Sequence, residues 1–197
     1  QPFIWQFNLS LKTVPFWSDW GLAPLEDETT HHCEQRFFWS SNEVITLQGL
    51  SEAELWLSAY DFETHDDLYL VLDDNANIKF RKKKLHVKPL LSVKNNMFMY
   101  GKKEKYHLFK QRDEIASLLG THSLSFLETK AEVKASLRAQ YLTFDVYKET
   151  LTLALTSIAS ISIELSKIKV DDHIFYSLVV ESYDAKRVDK AVQALGI

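Results

Sequence analysis

Two stretches near the C-terminus decide the fold class: residues 150–156 read TLTLALT, and residues 161–166 read ISIELS. In both stretches every second residue is leucine or isoleucine, with threonine, serine, alanine or glutamate between. Because successive side chains of a β-strand point to opposite faces, this period of two predicts strands with one apolar and one polar face. Comparable signals predict further strands at residues 6–12, 35–40, 43–48, 67–72, 78–88 and 174–181, and within 97–109.

About eight strands of this kind, with a few helices, predict an α+β, mainly β domain. Its antiparallel sheet is expected to form a closed or nearly closed eight-stranded barrel flanked by the helices, with an interior that is either filled by side chains or left as a cavity. Helices are predicted at residues 51–60, at 113–119 and after Asp184. Residues 13–34 are predicted to form a long loop. No linker or repeat divides the chain, so residues 1–197 are interpreted as a single domain.

The polar faces of several predicted strands carry single charged residues: Lys12, Lys79, Arg81, Glu164 and Glu181. If helices cover the apolar faces, these charges must line a wet interior. If the apolar faces point inward, the charges lie on an ordinary solvated exterior. The sequence leaves both arrangements open.

Composition narrows the class of protein. The chain has 197 residues and a net charge of −4, and its single cysteine, Cys33, excludes an internal disulfide. It has no run of about 20 apolar residues, so no membrane span or membrane partner is expected. Residues 1–20 lack a basic segment followed by an apolar one, so no signal peptide is expected. These features together predict a cytoplasmic protein.

The charge is distributed very unevenly along the chain. Residues 1–78 carry two cations and 14 carboxylates, whereas residues 79–105 carry ten cations and one carboxylate, Glu104. Such a basic segment attracts anions, and we expect a small polyanion as the partner. Two alternatives are a solvated hairpin whose lysines discourage aggregation and, less favoured, a nucleic-acid-binding surface.

Spacing within the basic segment suggests a phosphate site. Lys79, Arg81 and Lys83 are predicted to lie on one side of a strand, about 6.6 Å apart per step, which suits successive phosphates of a chain. Arg138, a lone arginine in an apolar stretch, is either paired within the fold or part of a site.

Two groups of residues are possible metal ligands. Glu164 and Glu181 are isolated carboxylates in apolar strands, so each is expected either to form an ion pair or to help hold Mg²⁺ or Mn²⁺. Residues 31–34 read HHCE, but no second cluster stands at a zinc-site spacing, which favours a loop with a free thiol.

Taken together, these residues resemble the CYTH domain. This domain defines the triphosphate tunnel metalloenzyme group, which includes triphosphatases and class IV adenylate cyclases. The resemblance covers roughly residues 60–195 and rests on the order of several short motifs. These motifs are residues 67–70 (DLYL), 78–81 (IKFR) and 87–88 (VK), Arg138 with Tyr141, and residues 161–166 and 176–182 before the last helix.

The resemblance implies an eight-stranded antiparallel tunnel that binds a triphosphate between inward arginines and lysines. By position it implies that five cations contact phosphates: Lys12, Lys79, Arg81, Lys88 and Arg138. It also implies that Glu164 and Glu181 hold a divalent metal, Mg²⁺ or Mn²⁺.

One departure from the family pattern affects the expected chemistry. With Lys12 as the lysine of the opening "E-x-E-x-K" motif, Asn8 and Ser10 stand at the glutamate positions. Fewer carboxylates weaken metal binding, and the metal offsets charge in phosphoryl transfer. The sequence therefore predicts binding of a triphosphate compound or polyphosphate, with metal-dependent hydrolysis left open. The alternative is a non-catalytic β-barrel that binds another anion or an apolar ligand.

Overall fold

The structure is a computed structural model that describes residues 9–13 (backbone only), 31–40, 43–72, 75–121, 127–155 and 160–197. Its strands are β1 Leu9–Thr13, β2 His32–Ser40, β3 Ile45–Leu50, β4 Asp61–Val71, β5 Ala76–Arg81, β6 Lys84–Lys94, β7 Met97–Tyr100, β8 Glu104–His107, β9 Leu142–Ala154, β10 Ile161–Val170 and β11 His173–Ser182. The helices are α1 Arg112–Leu119, α2 Lys130–Gln140 and α3 Ala185–Leu195, with two short 3-10 segments at Ala53–Leu55 and Leu57–Ala59.

Nine strands form one antiparallel sheet in the order β5-β4-β9-β10-β11-β2-β7-β6-β8. An additional pairing of β5 with β6 closes the first eight of these strands into a barrel, and β8 remains attached to β6. The predicted fold class, an α+β and mainly β domain with an eight-stranded antiparallel barrel, is confirmed.

One outer face of the barrel packs against α3. The leucines and isoleucines of β9 and β10 that alternate in the sequence, together with Leu178 and Val180 of β11, are buried against the apolar side of this helix. The helix begins at Asp184, whose carboxylate accepts a hydrogen bond from the Lys186 amide, and ends at Gly196, which has a positive φ of 74°. The helix after Asp184 was predicted, and its caps explain both of its ends.

The other apolar outer face packs against α1 and α2. Leu68 of β4 and Phe80 of β5 are buried there with Ile115 of α1 and Leu137 of α2. A capping box between Thr129 and Glu132 fixes the start of α2. Since helices cover the apolar faces, the charged faces of the strands point into the barrel, and this arrangement resolves the alternative that the sequence left open.

Three local predictions were wrong. Residues 78–88 are two strands rather than one, because the chain turns at Lys82, which has a positive φ of 55°, and Lys83. Residues 32–34 belong to β2 rather than to a loop. The predicted helix at 51–60 is present only as the two short 3-10 segments.

The first predicted strand also has a different place in the fold. β1 pairs in parallel with β3 in a separate two-stranded sheet, so it does not contribute to the barrel. Most of the predicted 13–34 loop lies outside the described residues. In the part of the chain that the structure describes, no helix is long and apolar enough to cross a membrane.

Truncation of an outward-facing leucine tests the helix-covered arrangement. Leu68 is 0% exposed beneath the helices, whereas Leu142 is 62% exposed. We expect Leu68→Ala to lower the free energy of unfolding by about 2–5 kcal/mol, because it opens a cavity in the core. Leu142→Ala should change it by about 0.5 kcal/mol or less. Urea unfolding of both variants measures this, and equal effects would contradict the burial of the outer face.

Candidate anion-binding site

The barrel encloses a cavity of about 1000 Å³. Six cationic side chains of the described residues line it: Arg36, Lys79, Arg81, Lys88, Lys103 and Lys148. Three carboxylates share the lining: Glu34, Glu164 and Glu181. Cations therefore outnumber carboxylates two to one on the wall, which gives the cavity a positive potential.

Asp67 fixes two of these cations. The strand register sets Asp67 of β4 opposite Arg81 of β5. Arg81 donates from Nε to Oδ1 at 2.6 Å and from a terminal nitrogen to Oδ2 at 2.5 Å, while Lys79 Nζ lies 3.2 Å from Oδ2. Burial opposes ionisation of Asp67, but hydrogen bonds and charge from Arg81 and Lys79 outweigh burial and lower its pKa.

Lys79 has a second partner inside the barrel. Its Nζ donates to the hydroxyl of Tyr69 at 3.3 Å and lies 5.2 Å from the centre of that ring. Tyr69 stands opposite Lys79 in the strand register. Lys79 and Arg81 are thus held in defined positions facing the cavity. This reduces the conformational entropy that they lose when they bind an anion.

A second cluster centres on Glu34 of β2. Lys88 Nζ lies 2.8 Å from Glu34 Oε2, His32 Nε2 lies 3.3 Å from the same oxygen, and Arg36 lies 3.5 Å from Oε1. Burial alone would raise the pKa of Glu34, but His32, Arg36 and Lys88 together lower it to about 2. Glu34 is therefore ionised at neutral pH although it is buried.

Glu181 of β11 extends this cluster. Ser162 donates a hydrogen bond to its Oε1 at 2.9 Å, and His32 Nε2 lies 3.5 Å from its Oε2. His32, Glu34 and Glu181 each offer one possible metal-ligand atom, and these three atoms lie within 4.8 Å of one another. Two carboxylate oxygens and an imidazole nitrogen at this separation fit a divalent cation, with Mn²⁺ better suited than Mg²⁺ to the nitrogen ligand.

Glu164, the other predicted metal ligand, has different partners. Lys148 donates to its carboxylate, and Ser166 donates to the same oxygen at 3.1 Å. Burial opposes ionisation, but the charge of Lys148 and these hydrogen bonds lower the pKa of Glu164. Its side chain lines the cavity and forms an ion pair with Lys148, which is one of the two possibilities that the sequence left open.

Lys103 is repelled by the other cations around the cavity. Burial and the charges of Lys79, Lys105 and further cations lower the pKa of Lys103 to about 8. A group whose protonated form is penalised by like charges gains stability when an anion binds beside it. The cavity is therefore arranged to attract a ligand with several negative charges.

Five of the predicted site residues line this cavity: Lys79, Arg81, Lys88, Glu164 and Glu181. Two others lie elsewhere, and the third is not described. Lys83 lies exposed in the turn between β5 and β6. Arg138 lies on α2, outside the barrel, where it pairs with Asp145 at 2.5 Å. The side chain of Lys12 lies outside the described residues, and its strand is not part of the barrel.

His32, Glu34 and Arg36 were not predicted as site residues, since metal binding at residues 31–34 was considered and disfavoured. They stand at alternate positions of β2 and all line the cavity. The signal was present as H-x-E-x-R, which has the spacing of the E-x-E-x-K motif that was assigned to residues 8–12. It was overlooked because residues 31–34 were interpreted as a loop.

Of three comparisons with known proteins, only the search of solved structures gives matches. No protein-family model matches the chain, and a search of curated proteins gives no match. One similar solved structure is a candidate adenylyl cyclase from Hippeastrum, described as having dominant triphosphatase activity; identity is 13% and the TM-score 0.44, over 82% of this chain and 84% of that one. Another is a candidate adenylate cyclase from Bacillus halodurans, with 9% identity and a TM-score of 0.43 over 84% and 88%. At this degree of likeness, function has to be inferred from the cavity itself.

Removal of the Asp67 charge tests its role as an anchor. We expect Asp67→Asn to lower the free energy of unfolding by about 3 kcal/mol or more, because it leaves two enclosed cations without their carboxylate. Asp145→Asn, which breaks the exposed pair with Arg138, should cost about 1 kcal/mol or less. Thermal unfolding at pH 7 compares the two, and similar losses would contradict the anchoring role.

The pH dependence of the same variant has a defined sign. The pKa of Asp67 is lowered from an ordinary value of 3.8. Its contribution to stability is therefore fully present above pH 3.8 and is lost as the pH falls through the lowered pKa. The stability difference between wild type and Asp67→Asn should shrink in acid.

Proposed function

We propose that the protein binds a compound with a triphosphate group, or inorganic polyphosphate, inside the barrel and hydrolyses it with a divalent metal. The observation that carries this proposal is the set of six cations on the wall of one cavity, of which Lys79 and Arg81 are held in place by Asp67. A single phosphate does not need so many cations, whereas a chain of phosphates can contact them in succession. A cavity of about 1000 Å³ suits a small polyanion better than a nucleic-acid duplex.

The two clusters would contact different parts of the phosphate chain. Lys79 and Arg81 supply ammonium and guanidinium donors at one part of the wall, and Arg36 and Lys88 supply them beside Glu34. Arginine offers paired donors to phosphate oxygens, and lysine offers a compact charge. Together these side chains would orient a phosphate chain along the barrel and offset its charge.

The metal would be held by His32, Glu34 and Glu181, with Mg²⁺ or Mn²⁺ as the ion. When bound, it would offset the charge that develops on the transferred phosphoryl group and activate water. Lys88 already occupies Glu34 Oε2 at 2.8 Å, so metal binding there would release this lysine toward a phosphate oxygen. Hydrolysis is favoured over binding alone because β2 supplies a buried, ionised carboxylate where residues 8–12 offered none.

One observation favours a second candidate function, binding of a polyanion without hydrolysis. Lys88 and Arg36 both contact Glu34, and these cations compete with a metal for the same oxygens. An apolar ligand, the other alternative, is disfavoured because burying six cations against it would remove their solvation without replacing it. A cytoplasmic location belongs to the proposal, and the free, buried Cys33 is compatible with a reducing compartment.

The two lysines that spacing assigned to one strand face provide a matched test of ligand binding. Lys79 lines the cavity and Lys83 lies in the exposed turn. We expect Lys79→Gln to weaken tripolyphosphate binding by about tenfold or more, the cost of one charged hydrogen bond. Lys83→Gln should weaken it by less than about twofold. Calorimetric titration measures both, and equal weakening would instead indicate binding to the outside of the basic hairpin.

Glu34 tests the metal-dependent step. We expect Glu34→Gln to release phosphate from tripolyphosphate at least about 100-fold more slowly than wild type with Mn²⁺ or Mg²⁺, because the metal loses a charged ligand. Binding of tripolyphosphate without metal should persist. Glu149→Gln, on the outer face of β9, is the matched control. If EDTA did not slow phosphate release by the wild-type protein, the proposed role of the metal would be contradicted. If the wild-type protein released no phosphate, ligand binding alone would be the function.

A further inference from the structure

His86, in the middle of β6, has an unusual environment. It lines the cavity, is only 8% exposed, and its Nδ1 has no hydrogen-bond partner among the described residues. Buried polar atoms nearly always have a partner, since an unsatisfied one costs about 1–3 kcal/mol. An atom left in this state on the wall of a binding cavity indicates a partner that the ligand supplies.

Both strand neighbours of His86 are lysines. The register sets Lys79 of β5 on one side and Lys105 of β8 on the other. The cations around His86 are Lys79 and Arg81 on β5, Lys105 on β8, Lys103 before β8, and Lys84 and Lys88 on β6 itself, and β8 also carries Glu104 opposite Val87 and His107 opposite Lys84. Asp67 of β4, which lies beside these cations of β5, is already engaged by Lys79 and Arg81.

This environment keeps the ring neutral when no anion is bound. Burial, followed by the charges of Lys103, Lys79, Arg81 and Lys105, lowers the pKa of His86 to about 4. A polyanion placed among the same cations would cancel their potential at the ring. It would also bring an acceptor oxygen to the unpartnered nitrogen.

Building on the proposed function, we propose that His86 takes up one proton from solvent as a polyanion enters the cavity. Nδ1 is enclosed in the ligand-free protein, so the imidazolium ring turns toward the cavity and then donates a hydrogen bond from Nδ1 to an anionic oxygen of the ligand. The step forms one N–H bond on the ring, and the buffer supplies the proton. His86 is thus a binding residue that adds a positive charge only when a negative ligand is present.

The sign of the pH effect follows from linkage. Because the ligand raises the proton affinity of His86, lower pH favours binding, and the effect is complete once the free protein is itself protonated. Affinity gains at most about tenfold per pH unit from one linked proton. Lys103 would also take up protons near its lowered pKa of about 8, and the ligand's own phosphates titrate, so the contribution of His86 has to be isolated by difference.

The test is calorimetric titration of the metal-free protein with tripolyphosphate at pH 6 and 7, in buffers of different ionisation enthalpy. The proteins are wild type, His86→Gln and His173→Gln, a control at an exposed histidine outside the cavity lining. We expect wild type and His173→Gln to take up roughly half a proton more per ligand than His86→Gln at pH 6. We also expect His86→Gln to bind several-fold more weakly there, with a smaller difference at pH 7.

Two results would overturn the inference, and they are distinguishable. If tripolyphosphate binds but all three proteins take up the same number of protons, the role of His86 fails while the proposed function stands. If tripolyphosphate does not bind to wild type, both fail. Should His86→Gln not fold, the His86 ring resonance of the wild-type protein gives the answer directly. Its titration midpoint must move to higher pH when tripolyphosphate is added, and an unchanged midpoint would overturn the proposal.

Discussion

Charge pairing inside the barrel is the constraint on which the rest of the structure depends. Asp67 holds Arg81 and Lys79, Glu34 holds Lys88, and Glu164 holds Lys148. Unpaired, these groups would be too costly to enclose. Each carboxylate stands on a different strand from its cation in these four pairs, so the pairs also fix the register of the strands that form the wall. The interior can thus be charged and still belong to a folded protein.

A charged interior requires that the apolar surface be buried elsewhere. The alternating leucines of β9 and β10 face outward and are covered by α3, and the outer faces of β4 and β5 are covered by α1 and α2. The barrel therefore has two cores outside its wall in place of one inside it. Hydrophobic stabilisation comes from the sheet–helix layers, which leaves the interior free to be polar. This division explains how the barrel can be both well packed and hollow.

The sequence predicted what depends on local pattern and failed where tertiary context decides. Period two revealed the strands and separated their apolar faces from the faces that carry Lys79, Arg81 and Glu164, but it did not show which face points inward. Spacing could not show that the chain turns at Lys82, where a non-glycine residue adopts a positive φ. Nor could it show that β2 begins at His32, because proline, glycine and acidic residues upstream favour a loop. Which partner each charge chooses depends on pairings such as Glu34 with Lys88, 54 positions apart.

The pairing inside the barrel is incomplete, and this explains why the cavity suits a ligand of high negative charge. Six cations line the wall, against three lining carboxylates and Asp67 behind them, so two positive charges remain even when every carboxylate is ionised. Burial, and then that excess of positive charge, lower the pKa values of Lys103 and His86. An incoming anion relieves this repulsion among groups that the fold already holds in place. Relief of the repulsion among like charges in the ligand-free barrel thus contributes favourably to the free energy of binding.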